Sequence, residues 1–321
     1  MKSILRVMTL GALVWLTMPA GDGFGQAYPT KAVSMVVPFP PGGRTDLTAR
    51  VVAQYLPKHL GQPVVVVNKP GAGGVLGAKE VAAATPDGYT LGFFSTAVVT
   101  AQYTVPTPTD LKDYAAVSIV NVDPAALAVK FDAPWKTLAE LAEYGRKNPG
   151  KVQIGMIPGA SAQIFAGGFA QAARMQAIFV PFKGDADGVV ALAGGHIDAH
   201  VAVPVSYKAL AEARKVRILG LAAAARSALY RDLPTFKENG VDLVISSFHA
   251  VFAPKATSGD ILGALAGALE KTMKEPELNA KMSAAGLGVV YLNRQDTAAF
   301  IGQQDATYKS LIKDLGMMVK K

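Results

Sequence analysis

Residues 33–46 read Val33-Ser34-Met35-Val36-Val37-Pro38-Phe39-Pro40-Pro41-Gly42-Gly43-Arg44-Thr45-Asp46. An apolar run breaks at Pro38 into a Pro/Gly turn. Asp46 then opens a stretch with Leu47, Val51, Leu56 and Leu60 at helical spacing, which Gly61 stops. Proline removes a ladder donor and glycine suits a turn, so the pattern predicts strand, loop, helix. Outward from it the pattern repeats. Residues 64–67 are an unbroken valine run and predict a strand buried on both faces. Residues 77–84 predict a helix ending before Pro86, and residues 89–94 a third strand. Such alternation implies a parallel sheet with helices on both faces.

The alternation restarts further on. Residues 138–147 predict a helix that stops before Asn148-Pro149-Gly150, followed by a strand at 152–156 and a helix at 162–175. Strands at 178–181, 197–203 and 216–222 then alternate with helices around 189–193 and 208–213. The tail is helical at 260–274, 276–285 and 295–316, with Ser258 or Asp260 as a cap for the first. The chain has 321 residues, 50% hydrophobic and 17% charged, which suits about two ordered domains of roughly 150 residues. No Pro/Ser linker or low-complexity segment divides it. The expectation is an α/β protein of two lobes, each a mostly parallel sheet flanked by helices. Two short crossings, near 124–129 and 247–252, join them. Residues 28–126 and 251–321 form the first lobe, tail included, and residues 127–250 the second. The cleft between the lobes is where a ligand is expected.

Residues 1–27 read as a signal peptide. Lys2 and Arg6 precede an uncharged apolar stretch from Val7 to Gly21, and Gly25-Gln26-Ala27 suits cleavage after Ala27. That stretch falls short of the ~20 residues of a membrane span. Export to a periplasm is the expectation. Absence of cysteine excludes disulfides, thiolate metal sites and catalytic thiols. The charge of +8 is spread along the chain without a basic run interleaved with aromatics, so nucleic acid is not an expected partner.

Four strand ends run into small-residue loops that open helices: Pro38 to Asp46, Asn68 to Gly74, Ile157 to Gln163, and Pro181 to Asp185. Glycine lets a ligand approach the backbone, and helix starts offer unpaired N–H donors, so loops facing one cleft would hold an anion. Arg44 and Thr45 lie in the first loop and Gln163 closes the third. Arg44 can pair with a ligand carboxylate, or with Asp46, or reach water. Lys183 can add a cation from the other lobe. Enzyme readings find little. The spacing at Gly71–Gly77 is dinucleotide-like, but no acid follows the next strand. His196 and His200 lie on a turn and strand, too far apart for one ion. Gly159-Ala160-Ser161-Ala162-Gln163 lacks the last glycine of a nucleophile elbow, leaving a Ser161 hydrolase as the minor enzyme alternative. No cofactor is expected.

Several motifs together resemble the tripartite tricarboxylate transporter substrate-binding family, the Bug-type receptors. They are Tyr28-Pro29-Thr30-Lys31, Val36 to Gly43 with Asp46 and Ala49-Arg50, Leu60-Gly61-Gln62, Asn68 to Gly74, and Pro86-Asp87-Gly88-Tyr89-Thr90-Leu91. Pro181 to Gly184, Gly194-Gly195-His196-Ile197-Asp198, Leu233-Pro234-Thr235 and Ala253-Pro254 continue the series over nearly the whole chain. The resemblance implies a type II-like periplasmic binding-protein fold closing like a flytrap. It implies capture of a di- or tricarboxylate or aromatic acid, by a monomer, for delivery to a membrane permease, or alternatively presentation to a membrane signalling protein. It implies binding roles for Phe39, Gly42, Gly43, Asp46, Ser95, Thr96, Ala160, Ser161, Lys183 and Gly184. Two departures stand out. The third loop is poorer in hydroxyls than the family's, and Ala202 stands where many members carry Asp. Loss of that acid, with Arg44 present, predicts a simply anionic ligand rather than an amino one. His249, at the expected second crossing, can face the cleft or sit bonded within the hinge.

Overall fold

Strands form where β-branched and aromatic residues run together, and the glycines and prolines between them set the helix starts. In chain order the first part gives β1 (Val33–Val37), α1 (Arg44–Tyr55), α2 (Pro57–Leu60), β2 (Val64–Asn68), α3 (Val75–Ala82), β3 (Thr90–Ser95), α4 (Thr96–Thr104) and β4 (Tyr114–Pro124). The second part gives β5 (Ala126–Lys130), α5 (Leu138–Lys147), β6 (Val152–Met156), α6 (Ser161–Ala172), β7 (Ala177–Pro181), α7 (Asp185–Gly194), β8 (Ala199–Ala202), α8 (Lys208–Glu212) and β9 (Val216–Leu221). The chain returns through β10 (Ser246–Pro254), α9 (Gly259–Met273), α10 (Pro276–Ala284) and α11 (Arg294–Asp314). The computed structural model describes residues 28–106, 109–157 and 161–319, so the expected leader and Ala160 lie outside the described residues.

Two five-stranded sheets result, with orders β2-β1-β3-β10-β4 and β7-β6-β8-β5-β9. β10 runs antiparallel to β3 and β4, and β5 antiparallel to β8 and β9. The pairs β1–β2, β1–β3, β6–β7 and β6–β8 are parallel. The two orders are equivalent, and in each the reversed strand is the one that enters from the other sheet. This is the two-lobed α/β architecture that the alternation predicts.

The first sheet packs α1, α9 and α10 on one face, through Val33, Val52, Leu265 and Met282 among others. Its other face meets α3, α4 and the start of α11, through Phe94, Phe252 and Ile301. The second sheet buries Ile154, Phe165, Phe169 and Leu219 on one side and Val189, Leu192 and Tyr207 on the other.

Four expectations are corrected. The valine run forms β2, but β2 pairs only with β1, and Val65 is 51% exposed, so it is an edge strand rather than one buried on both faces. The second crossing does not fall at 247–252. Those residues lie inside β10, which bonds the first sheet from Ser246 onward. The return runs just before it, where Ile245 N–H donates to Ala222 O and Ala125 N–H donates to Ile245 O. The first crossing shortens to Ala125, because β5 already begins at Ala126. Finally, the tail does not pack on the first lobe alone. Tyr308, Leu311 and Ile312 of α11 sit in the second sheet's core with Phe169 and Phe236.

Candidate ligand site between the two sheets

The first loop is shaped by one acid. Gly42 adopts φ +81, a left-handed backbone that glycine adopts without penalty, and its N–H donates to Asp46 Oδ2 at 2.9 Å. Asn68 Nδ2 at the end of β2 donates to Asp46 Oδ1 (2.8 Å) and to Phe39 O (3.0 Å). Arg50 Nε donates to Asp46 Oδ2 at 2.9 Å. Asp46 is buried, at 1% exposure. Burial pushes its carboxyl up, but the bonds from Arg50, Gly42 and Asn68 outweigh burial and leave it below the ordinary range. Its oxygens accept from Gly42, Arg50 and Asn68, which gives Asp46 a structural role in holding the loop. Phe39 packs over Gly74, where a Cβ would come within 3.1 Å of Phe39 Cζ.

Arg44 is the first residue of α1 and points away from Asp46. Its guanidinium pairs with Asp123 of β4, and Nη2 lies 3.4 Å from Asn121 Oδ1. Burial lowers its pKa to about 10, with Asp185 and Tyr230 acting the other way, so it stays charged at neutral pH. Asp123 Oδ1 accepts from Gly288 N at 3.0 Å. Asn121 donates through Nδ2 to Gly288 O at 2.5 Å, which leaves its Oδ1 to accept from His249 Nδ1 at 2.7 Å. His249 Nε2 then accepts from the Thr45 hydroxyl at 3.1 Å. Both ring nitrogens are used by a neutral ring. Burial, with Arg44 nearby, holds its pKa well below the usual value. The ring stacks on Phe93 with centroids 5.8 Å apart. His249 is therefore a bonded residue beneath the first loop, and so is Thr45.

Between the sheets lies a cavity of ≈ 190 Å³. Arg44 reaches it from the first lobe and Ser247 from β10. The second lobe gives Ile157, Ser161, Phe165, Asp185, Ala202 and Ser206. These follow the carboxyl ends of β6, β7 and β8, where ligands sit in open parallel sheets. Arg44, Ser161 and Ala202 are thus the expected residues that the structure brings together. Asp185, at the first position of α7, was part of the fourth loop but not expected to bind. Its Oδ2 accepts from Ser206 Oγ at 3.1 Å, and its Oδ1 is buried without a partner among the described residues. Burial raises the Asp185 pKa, with Ser206 and Arg44 acting against it.

The other expected residues lie elsewhere. Ser95 caps α4, accepting from Ala97 N at 3.4 Å, and Thr96 Oγ1 accepts from Phe248 N at 2.9 Å. Both are buried within the first lobe. Gly42 and Gly43 form the exposed turn before α1. Lys183 is exposed on the surface, and Gly184 caps α7 in extended backbone. Gln163 lies on α6 outside the cavity lining. A larger cavity of ≈ 330 Å³ opens on the far side of the Arg44–Asp123 pair, lined by Tyr230, Asn279, Ser283 and Leu287. Its one charged wall residue is Asp123, already paired, so it offers an acid no cation.

A family model described as "Tripartite tricarboxylate transporter family receptor" matches residues 48–317. A Cupriavidus necator protein, "UPF0065 protein in gbd 5'region", is 33% identical over 309 residues, covering 95% of this chain and 94% of that one. Among solved structures, a TctC solute-binding protein from Polaromonas, without ligand, superposes with TM-score 0.83 at 29% identity, over 89% of this chain and 99% of that one. A Rhodopseudomonas palustris protein solved with adipate gives TM-score 0.74 at 28% identity, over 90% and 98%. MatC from the same organism, with bound malate, gives 0.70 at 25%, over 89% and 100%. With a family match across most of its length and the matching two-sheet topology, the chain belongs to the tripartite tricarboxylate transporter receptor family, whose members are solute-binding receptors rather than enzymes.

Proposed function

We propose that this receptor is exported, with its leader cleaved after Ala27, and binds a small organic carboxylate in the ≈ 190 Å³ cavity. The lobes close over the acid, which is then delivered to the two-part membrane permease of a tripartite transporter. The observation that carries this reading is Arg44. A guanidinium at the first turn of α1 stands in the cavity wall, charged at neutral pH, with hydroxyls of Ser161 and Ser247 around it. A carboxylate finds there both charge and directional donors. The adipate and malate bound by two relatives are acids of fitting size. Closure favours whichever state makes more contacts to the ligand, and this cavity draws its contacts from both lobes.

The test is a thermal-shift screen of the processed protein against four- and six-carbon dicarboxylates, citrate and aromatic acids. Ligand at 100 times its Kd adds about 2.7 kcal/mol of stability, a shift of roughly 5 °C for a chain of this length. The expected result is a shift with one acid class that disappears in Arg44→Ala, with the ligand recovered at unchanged mass. An equal shift in Arg44→Ala would place the acid elsewhere. Turnover of the ligand would revive the Ser161 hydrolase.

A further inference from the structure

The missing acid at Ala202 predicts a simply anionic ligand, yet the cavity holds an acid. Asp185 enters the same wall from the start of α7, beside Ala202. One of its oxygens accepts from Ser206, and the other is buried with no donor among the described residues. Arg44 already has Asp123 as counter-ion. With Asp185 ionised, Arg44, Asp123 and Asp185 together carry one net negative charge. A plain dicarboxylate would add more of the same sign and set acceptor against acceptor at Asp185 Oδ1. A buried acceptor left facing another acceptor is costly, so such a site discriminates against ligands that lack a donor.

Resting on the carboxylate reading of this cavity, we infer that Asp185 is its specificity determinant. The ligand is a carboxylate bearing a hydrogen-bond donor, an ammonium or a hydroxyl, which occupies Asp185 Oδ1 while the carboxylate meets Arg44 and the hydroxyls of Ser161 and Ser247. Ammonium and hydroxyl share the donor and differ in charge. Asparagine at position 185 keeps an acceptor oxygen but removes the negative charge, and so separates the two.

The experiment is calorimetric titration of the processed protein, stripped of carried ligand, with two matched triads: succinate, malate and aspartate; glutarate, 2-hydroxyglutarate and glutamate. The expected result is that, in one triad at least, a donor-bearing acid binds tenfold or more tighter than its unsubstituted partner. Asp185→Ala abolishes that preference. Asp185→Asn loses tenfold or more if the donor is an ammonium, and less if it is a hydroxyl. Melting temperatures within about 3 °C of the parent show that the variants are folded. Equal affinity across both triads, or a preference that survives Asp185→Ala, overturns the inference. If all six fail while another carboxylate binds at Arg44, this inference falls and the carboxylate reading stands. If no carboxylate binds, both fall.

Discussion

Asp46→Ala tests whether the first loop is built by its acid rather than by its ligand. The substitution removes the acceptor of Gly42 N–H, Asn68 Nδ2 and Arg50 Nε. Bonds to a charged partner contribute about 1.5–3 kcal/mol each when buried. Gly42 and Arg50 are exposed and regain water, so their share is small, and Asn68 keeps its bond to Phe39 O. The expected loss is about 3 kcal/mol. At ~2.1 cal/mol/K of unfolding entropy per residue, over nearly the whole chain, Tm falls by about 5 °C. Differential scanning calorimetry across pH sharpens the test. The folded pKa of Asp46 is depressed, so its stabilisation is complete above the unfolded value near 3.9 and is lost as pH falls through the folded value. The gap between parent and variant should be full at pH 7 and shrink below about pH 4. A gap under 1 °C at pH 7, or one that persists unchanged at pH 3, would refute the structural role.

Gly188→Ala places a Cβ 2.2 Å from His200 Nε2 in the second lobe's core, and should lower Tm by several degrees and reduce soluble yield. Leu311→Ala should cost about 2–4 kcal/mol in urea unfolding, because Leu311 is buried in the second lobe's core; a cost near zero would return α11 to the first lobe. His200 is held neutral by burial, its pKa lowered to about 4, so the stability it confers is lost as pH falls from about 6.5 toward 4. His200→Gln should flatten the melting-temperature slope over that window.

Much of the fold was legible because periodicity changes where proline and glycine punctuate it. Helices at 138–147, 260–274 and 276–285 match Leu138–Lys147, Gly259–Met273 and Pro276–Ala284 to within a residue or so. Ser258 does cap the second of these, accepting from Ile261 N at 3.4 Å. What escaped the reading has physical causes. β4 runs Tyr-Ala-Ala-Val-Ser-Ile-Val-Asn-Val-Asp-Pro, with polar Ser118, Asn121 and Asp123 buried by partners far away in sequence. No local pattern marks such residues as strand. The same blindness hid the site's inner layer. Asn121 and Asp123 position Arg44, but that role exists only once the end of β4 meets the start of α1. Arg44 and Ser161 could be named because strand ends and helix starts are local features, whereas Ala202 came only from the family resemblance. Asp185 stood at the end of the fourth loop with no role read for it, and the structure makes it the first residue of α7.

The misplaced tail shows how a local pattern can be right about burial and silent about what does the burying. Ile301, Tyr308, Leu311 and Ile312 recur on one stripe of α11, so the stripe must be covered. At 1.5 Å per residue this 21-residue helix is about 31 Å long, enough to leave one lobe and reach the other. A helix seated in both cores suggests a lock between the lobes, but its seating argues otherwise. Midway along, Tyr308 OH donates to Ser246 O at 2.6 Å, and Gln304 Oε1 accepts from Ser246 N at 3.3 Å. Ser246 begins β10, directly beside the crossing where Ala125, Ala222 and Ile245 bond one another through backbone. A rotation of the lobes about that crossing displaces nearby atoms least. The helix is therefore fastened at the point where such a rotation would move it least.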